Sequence, residues 1–267
     1  MNIWRKSQMK IETIILDWAG TTVDYGCMAP VNAFFEAFKH QGIQVSIKEI
    51  REPMGMLKKD HIRYLLKLPN VLTQWKDKYA KEPNESDVEA IYHVFEENIF
   101  KGLADYSKIK PNVVEVVKEL RALGISIGST TGYTREMMKV VRETARGQGY
   151  IPDCVVTPDD VSDYGRPYPY MIFSNMQQLK STSVSCVVKV GDTLADIQEG
   201  KHAGVKTIGI ISGSSLIGLT EEEEAQLPIE EKISLFQKVK KTYYEAGADY
   251  VIETIQDLPK VINKIEN

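Results

Sequence analysis

Apolar and polar positions follow three successive rhythms along this chain. The first is brief. A continuous apolar run, Ile14-Ile15-Leu16, ends in Asp17 and gives way to Trp18-Ala19-Gly20-Thr21-Thr22, the pattern of a buried strand delivering a carboxylate to a loop. The second rhythm is helical and lasts to about Leu103. Ala33, Phe34, Ala37 and Phe38 share a face before Gly42 stops that helix. Ser46 with Glu49 makes a capping box for a short helix that Pro53 must end. Helices are predicted from about Leu57 to Leu68 and from Val71 to Tyr79. Ser86 with Glu89 reads as the cap of a longer one striped by Val88, Ile91, Tyr92, Phe95 and Ile99. No strand pattern interrupts this stretch, and aromatic stripes of this kind ordinarily pack a core.

From Asp105 helices and strands alternate. Helices opened by Pro111, spanning Thr134 to Ala145, near Tyr170–Leu179 and from Ala195 to His202 are separated by strands at Ile125–Ser129, Cys154–Thr157, Cys186–Val190 and Val205–Ile210. One last helix, the strand Tyr250–Ile252 and a closing helix complete the chain. Such alternation predicts an α/β fold with a doubly wound parallel-sheet (Rossmann-like) core. The helical block is then an insertion after the first strand. It would form an all-helical cap domain at 26–104 on a core of 1–25 and 105–267, with hinges at Tyr25–Gly26 and Leu103–Tyr106.

Composition changes this picture little. A length of 267 residues suits a core with a smaller cap, and a net charge of −4 gives no reason to expect a nucleic-acid partner. The cysteines Cys27, Cys154 and Cys186 are odd in number and far apart, which points to a reducing cytoplasm rather than a disulfide framework. Met1–Lys10 lacks a signal-peptide core and is expected to be a short extension; no run is long enough to span a membrane. The acidic run Glu221–Glu224 reads as a solvated helix start.

Candidate chemistry gathers in four stretches directly after predicted strands, where open α/β sheets bind ligands. They are Asp17-Trp18-Ala19-Gly20-Thr21, Ser129-Thr130-Thr131-Gly132, Gly165-Arg166-Pro167-Tyr168-Pro169 and Gly191-Asp192-Thr193-Leu194-Ala195-Asp196. Hydroxyls and a glycine at a strand-to-helix turn suit phosphoryl oxygens, and a cation with several acids suits a metal-assisted phosphoryl site. Any one of the four alone is common, and Asp192 alone would read equally well as a helix cap.

In this order and spacing the four stretches resemble the motif set of the haloacid dehalogenase-like hydrolases. The resemblance implies that Asp17 is a nucleophile toward phosphorus, that Thr131 and Gly132 hold the phosphoryl group and that Arg166 neutralises its charge. It further implies Mg²⁺ held by Asp17, Asp192 and the backbone carbonyl of Ala19, with Asp196 supporting Asp192 from behind. Position 19 departs from the pattern, because the superfamily's phosphatases and phosphomutases carry an acid there that protonates the leaving oxygen. A placed acid–base is worth about 10²–10⁴-fold in rate, so Ala19 argues against a phosphate-monoester phosphatase or phosphomutase, the alternative reading. A protein that binds phosphate without catalysis is a further alternative, disfavoured by the joint presence of Asp17, Arg166, Asp192 and Lys58.

A carbon leaving group needs no such acid if another group absorbs its electron pair. Met54-Gly55-Met56-Leu57-Lys58-Lys59-Asp60-His61 opens a helix with Lys58 and His61 on one face, and a lysine amine can form an imine that serves as an electron sink. Spacing alone favours reading Lys58 and Lys59 as ordinary surface lysines. The stretches Asp17–Cys27, Met54–His61, Gly128–Met138, Thr157–Asp160 and Lys189–Thr193, however, are closely similar to the phosphonoacetaldehyde hydrolase (phosphonatase) family. That resemblance implies Lys58 as the imine-forming residue, His61 as a proton carrier and Cys27, Met54 and Tyr133 around the substrate. It also implies hydrolysis of phosphonoacetaldehyde to acetaldehyde and phosphate, and a homodimer.

Overall fold

The computed structural model describes residues 10–267, so the extension expected at the N-terminus lies, apart from Lys10, outside the described residues. Six parallel strands form one sheet: β1 Thr13–Leu16, β2 Ser126–Thr130, β3 Cys154–Val156, β4 Val187–Gly191, β5 Lys206–Ile210 and β6 Tyr250–Ile252, in the order β3-β2-β1-β4-β5-β6. The doubly wound α/β core expected from the alternation is therefore present. Both faces of β1 and β4 are buried, which is why these strands read as apolar runs, broken in β4 by Lys189 alone. Strand order reverses between β1 and β4, and this opens a crevice at their carboxyl ends. The helices of the core are α6 Val113–Ala122, α7 Arg135–Gly147, α8 Tyr170–Leu179, α9 Leu194–Ala203, α10 Glu221–Gln226, α11 Ile229–Glu245 and α12 Leu258–Glu266.

Between β1 and β2 the chain forms only helices: α1 Met28–His40, α2 Ile47–Arg51, α3 Lys58–Leu66, α4 Pro69–Tyr79 and α5 Glu85–Gly102. Their aromatic stripes do pack a core, one continuous with the buried residues of the sheet domain. Phe34 and Phe95 are fully buried with ring centroids 4.3 Å apart. The Ser46–Glu49 capping box forms as expected. The cap of α5 does not, because Asn84 and Asp87 form the box two residues earlier than Ser86 and Glu89 would. Both pairs satisfy the three-residue spacing; the helix takes the start that adds two residues, directly after Pro83.

Two further differences fall in the second half. The single last helix read from the sequence is two, α10 and α11, separated by Leu227-Pro228. Within the acidic run, Glu221–Glu223 cap and flank α10 as a solvated start would, but Glu224 is buried and accepts hydrogen bonds from Ser212 Oγ and Gly213 N.

Candidate active site

The first strand places Asp17 one residue beyond Leu16, at the mouth of the crevice, where its carboxylate is almost wholly buried. Strand β4 does the same for Asp192, and β2 for Thr131. Carboxylate oxygens of Asp17, Asp192 and Asp196 lie within 4.8 Å of one another. Burial, together with Asp17 and Asp196, pushes the Asp192 carboxyl well above the usual carboxylate range. Asp192 Oδ1 accepts from Thr21 Oγ1 at 3.1 Å and Oδ2 from Ser215 N at 2.8 Å, so its orientation is fixed. Three converging acids with one carboxylate short of positive partners form a donor set suited to a hard divalent cation.

Arg166 enters from the loop before α8 and is itself buried. Its Nη2 donates to Asp17 Oδ1 at 2.7 Å and to Thr130 O at 2.9 Å, and its Nε donates to Glu199 Oε2 at 3.0 Å. Asp196 is gripped by Thr193 through a capping box at the start of α9, and Lys189 Nζ lies 2.7 Å from its Oδ1.

The helical insertion closes this end from above. Lys58 begins α3, is 3 % exposed, and has its Nζ 5.0 Å from the Tyr133 ring centroid. Burial lowers its pKa from 10.5 to about 8, against the opposing pull of Cys27 and Asp17. Its neighbour Lys59 instead reaches out to Glu89 and stays partly exposed. Cys27 sits in the left-handed region at φ 55° just ahead of α1, and Asp24 accepts from Met28 N and Ala29 N to hold that helix start.

Asp17, Ala19, Cys27, Met54, Lys58, Thr131, Gly132, Tyr133 and Arg166 all line one narrow cavity between core and insertion. His61 does not line it. Its ring is fully buried and stacked on Phe34 at 3.8 Å, and neither ring nitrogen has a hydrogen-bond partner among the described residues. Burial and the adjacent Lys58 hold that imidazole well below its ordinary pKa, in its neutral form.

Core and insertion meet with little between them. A Cβ on Gly132 would lie 3.0 Å from Met56 O and 3.1 Å from Gly55 O. One on Gly55, at φ +91°, would strike Thr193 Oγ1 at 2.4 Å. Arg51, at the end of α2, clasps the same seam by donating to Gly26 O, Ser215 O and Gly218 O.

Sequence reasoning missed Arg51, Lys189 and Glu199. The signal for Lys189 was there, since it is the one charged residue in the otherwise apolar β4. Glu199 lies three residues after Asp196, hence on the same face of α9.

A family model of haloacid dehalogenase-like hydrolases matches residues 11–204. The phosphonoacetaldehyde hydrolase of Lysinibacillus sphaericus is 51% identical over 257 residues, covering 96% of each chain, and that of Bacillus cytotoxicus is 49% identical over 258 residues, covering 97% of each. A crystal structure of a phosphonoacetaldehyde hydrolase-like protein from Oleispira antarctica superposes with a TM-score of 0.94 at 37% identity, covering all of this chain and 95% of that one. The chain belongs to the haloacid dehalogenase-like hydrolases and, within them, to the phosphonoacetaldehyde hydrolase family.

Proposed function

We propose that this enzyme hydrolyses the carbon–phosphorus bond of phosphonoacetaldehyde with Lys58 as the imine-forming amine and Asp17 as the nucleophile. One observation carries the reading: a buried lysine from the insertion and a buried carboxylate from the core line one cavity, with no acid at position 19. Lys58 Nζ adds to the aldehyde carbon and water leaves, giving a protonated imine. Asp17 attacks phosphorus; the carbon–phosphorus electron pair moves into the imine and forms a neutral enamine. Water then cleaves the aspartyl phosphate. Protonation of the enamine carbon and hydrolysis of the resulting imine release acetaldehyde and free Lys58. Over the cycle one water is released and two are consumed, which balances the net addition of one water.

Arg166 and the hydroxyl and backbone donors at Thr131–Gly132 receive the phosphoryl oxygens. Asp17, Asp192 and the Ala19 carbonyl would hold a divalent ion, taken as Mg²⁺, with Asp196 behind Asp192, and it would supply positive charge between the two anions that must meet. Cys27, Met54 and Tyr133 wall the aldehyde end, and His61, neutral and one turn along α3 from Lys58, is the proton carrier. The cap domain comprises residues 26–104, hinged at Tyr25–Gly26 and Leu103–Tyr106, and closes over bound substrate. Three unpaired thiols support a reducing cytoplasm, and no helix is long and apolar enough to cross a membrane. A homodimer completes the reading; light scattering in solution tests it.

Borohydride reduction in the presence of phosphonoacetaldehyde, followed by peptide mass analysis, tests the mechanism. A reduced two-carbon adduct is expected on Lys58. Its absence, with Lys58→Ala still releasing acetaldehyde at the wild-type rate, overturns the imine route.

A further inference from the structure

Beneath the phosphoryl end of the site lies a set of charges that the reaction above does not use. Glu199 and Lys189 are both 0 % exposed. Glu199 Oε2 accepts from Arg166 Nε at 3.0 Å and from Thr130 Oγ1 at 3.0 Å. Lys189 Nζ donates to Thr130 Oγ1 at 3.0 Å and stands 3.6 Å from Glu199 Oε2 and 2.7 Å from Asp196 Oδ1. Thr130 Oγ1 also accepts from Arg166 Nη2 at 3.0 Å, so this single hydroxyl gives one hydrogen bond and takes two.

We propose that Glu199 is a positioning residue that, held by Lys189 and Thr130, sets the Arg166 guanidinium against Asp17 and the phosphoryl oxygens; this rests on the roles assigned above to Asp17 and Arg166. A guanidinium is a planar fork, and holding its Nε–H edge fixes the plane in which the Nη groups lie. Glu199 takes that edge, which leaves Nη2 aimed at Asp17 Oδ1, 2.7 Å away. Without Glu199, Arg166 would keep its Nη2 contacts to Asp17, Asp196 and Thr130, but nothing would hold its Nε–H edge. The plane of the guanidinium would then be set from one nitrogen only. Stability alone does not explain the arrangement, because well-packed apolar side chains usually replace a buried ion network without loss. Oriented charge on Arg166 does explain it, since electrostatic catalysis depends on donors placed before the reaction begins.

The test uses the enzyme loaded with divalent metal and Glu199→Gln, which keeps the shape and removes the charge. Phosphate release is expected to fall about 10–100-fold in kcat, the usual effect of losing a partner that orients a ligating or catalytic group. Borohydride trapping at Lys58 should be unchanged, because the aldehyde end is untouched. Wild-type kcat, or parallel loss of kcat and trapping, overturns the proposal. The pair Arg166→Gln and Arg166→Gln/Glu199→Gln tests it without leaving a lone buried charge. The two are expected to have equal kcat, and a further tenfold loss in the double variant overturns the positioning role. If the imine reading itself is wrong, the wild-type enzyme yields no trapped adduct, while the kcat pattern of these variants still decides the role of Glu199.

Discussion

The two ends of the cavity handle charge in opposite ways. At the phosphoryl end, Asp17, Asp196 and Glu199 face Arg166 and Lys189, and each carboxylate has at least one oxygen in contact with a cation. At the aldehyde end Lys58 has no carboxylate in ion-pair contact among the described residues and borders Cys27, Met54 and the Tyr133 ring. Burial without a partner makes an amine easier to deprotonate. One cavity thus sets a carboxylate held by a guanidinium beside a lysine held by no acid. The separation depends on position 19, where the wall between the ends is a methyl group.

Removing either end should have the largest effect. Asp17→Asn and Lys58→Ala are each expected to lower kcat about 10⁴–10⁶-fold, as for other covalent participants, measured by phosphate and acetaldehyde release. A Lys58→Ala enzyme within tenfold of wild type would contradict the division of labour. Merging the ends by Ala19→Asp is expected to raise the Lys58 pKa by about one unit and so to cost about tenfold in kcat/KM at pH 7. The same variant should gain hydrolysis of p-nitrophenyl phosphate; no gain would mean that position 19 is not the missing acid.

Titration sharpens the contrast. With the Lys58 pKa near 8, kcat/KM should fall about tenfold per unit below that pH, because the protonated amine cannot add to a carbonyl. Stability carries the matching sign. The folded-state pKa of about 8 lies below the ordinary 10.5, so between these values the unfolded chain binds more protons, and stability rises with pH across that window. Below about pH 8 the full penalty applies. Lys58→Met should therefore stabilise the inactive protein at pH 7 by up to about 3 kcal/mol, seen as a higher Tm. The smallest effect is expected at the seam. Arg51→Ala should destabilise by about 1–3 kcal/mol in thermal unfolding while leaving borohydride trapping intact at saturating substrate.

Much of the phosphoryl end was legible because a parallel sheet delivers the carboxyl ends of its strands to one edge. An acid after an apolar run is then already half located, as with Asp17 and Asp192. The insertion's helices were legible from their stripes, but the start of α5 was not. The run Asn84-Glu85-Ser86-Asp87-Val88-Glu89 offers two overlapping boxes, and only the packed structure chooses between them. Glu199 escaped because its partner Arg166 lies 33 residues away, and nothing local distinguishes a buried glutamate from a solvated one. His61 shared a helix face with Lys58, but the helical period does not say how deep that face lies, and the ring ends against Phe34.

The seam between Gly55 and Gly132 has a mechanical consequence. Gly132 comes up against the carbonyls of Gly55 and Met56, Gly55 against the Thr193 side chain, and the Arg51 guanidinium ties the same joint from one side. A single methyl at either glycine would act as a wedge, forcing the two faces apart by the width of the atom added.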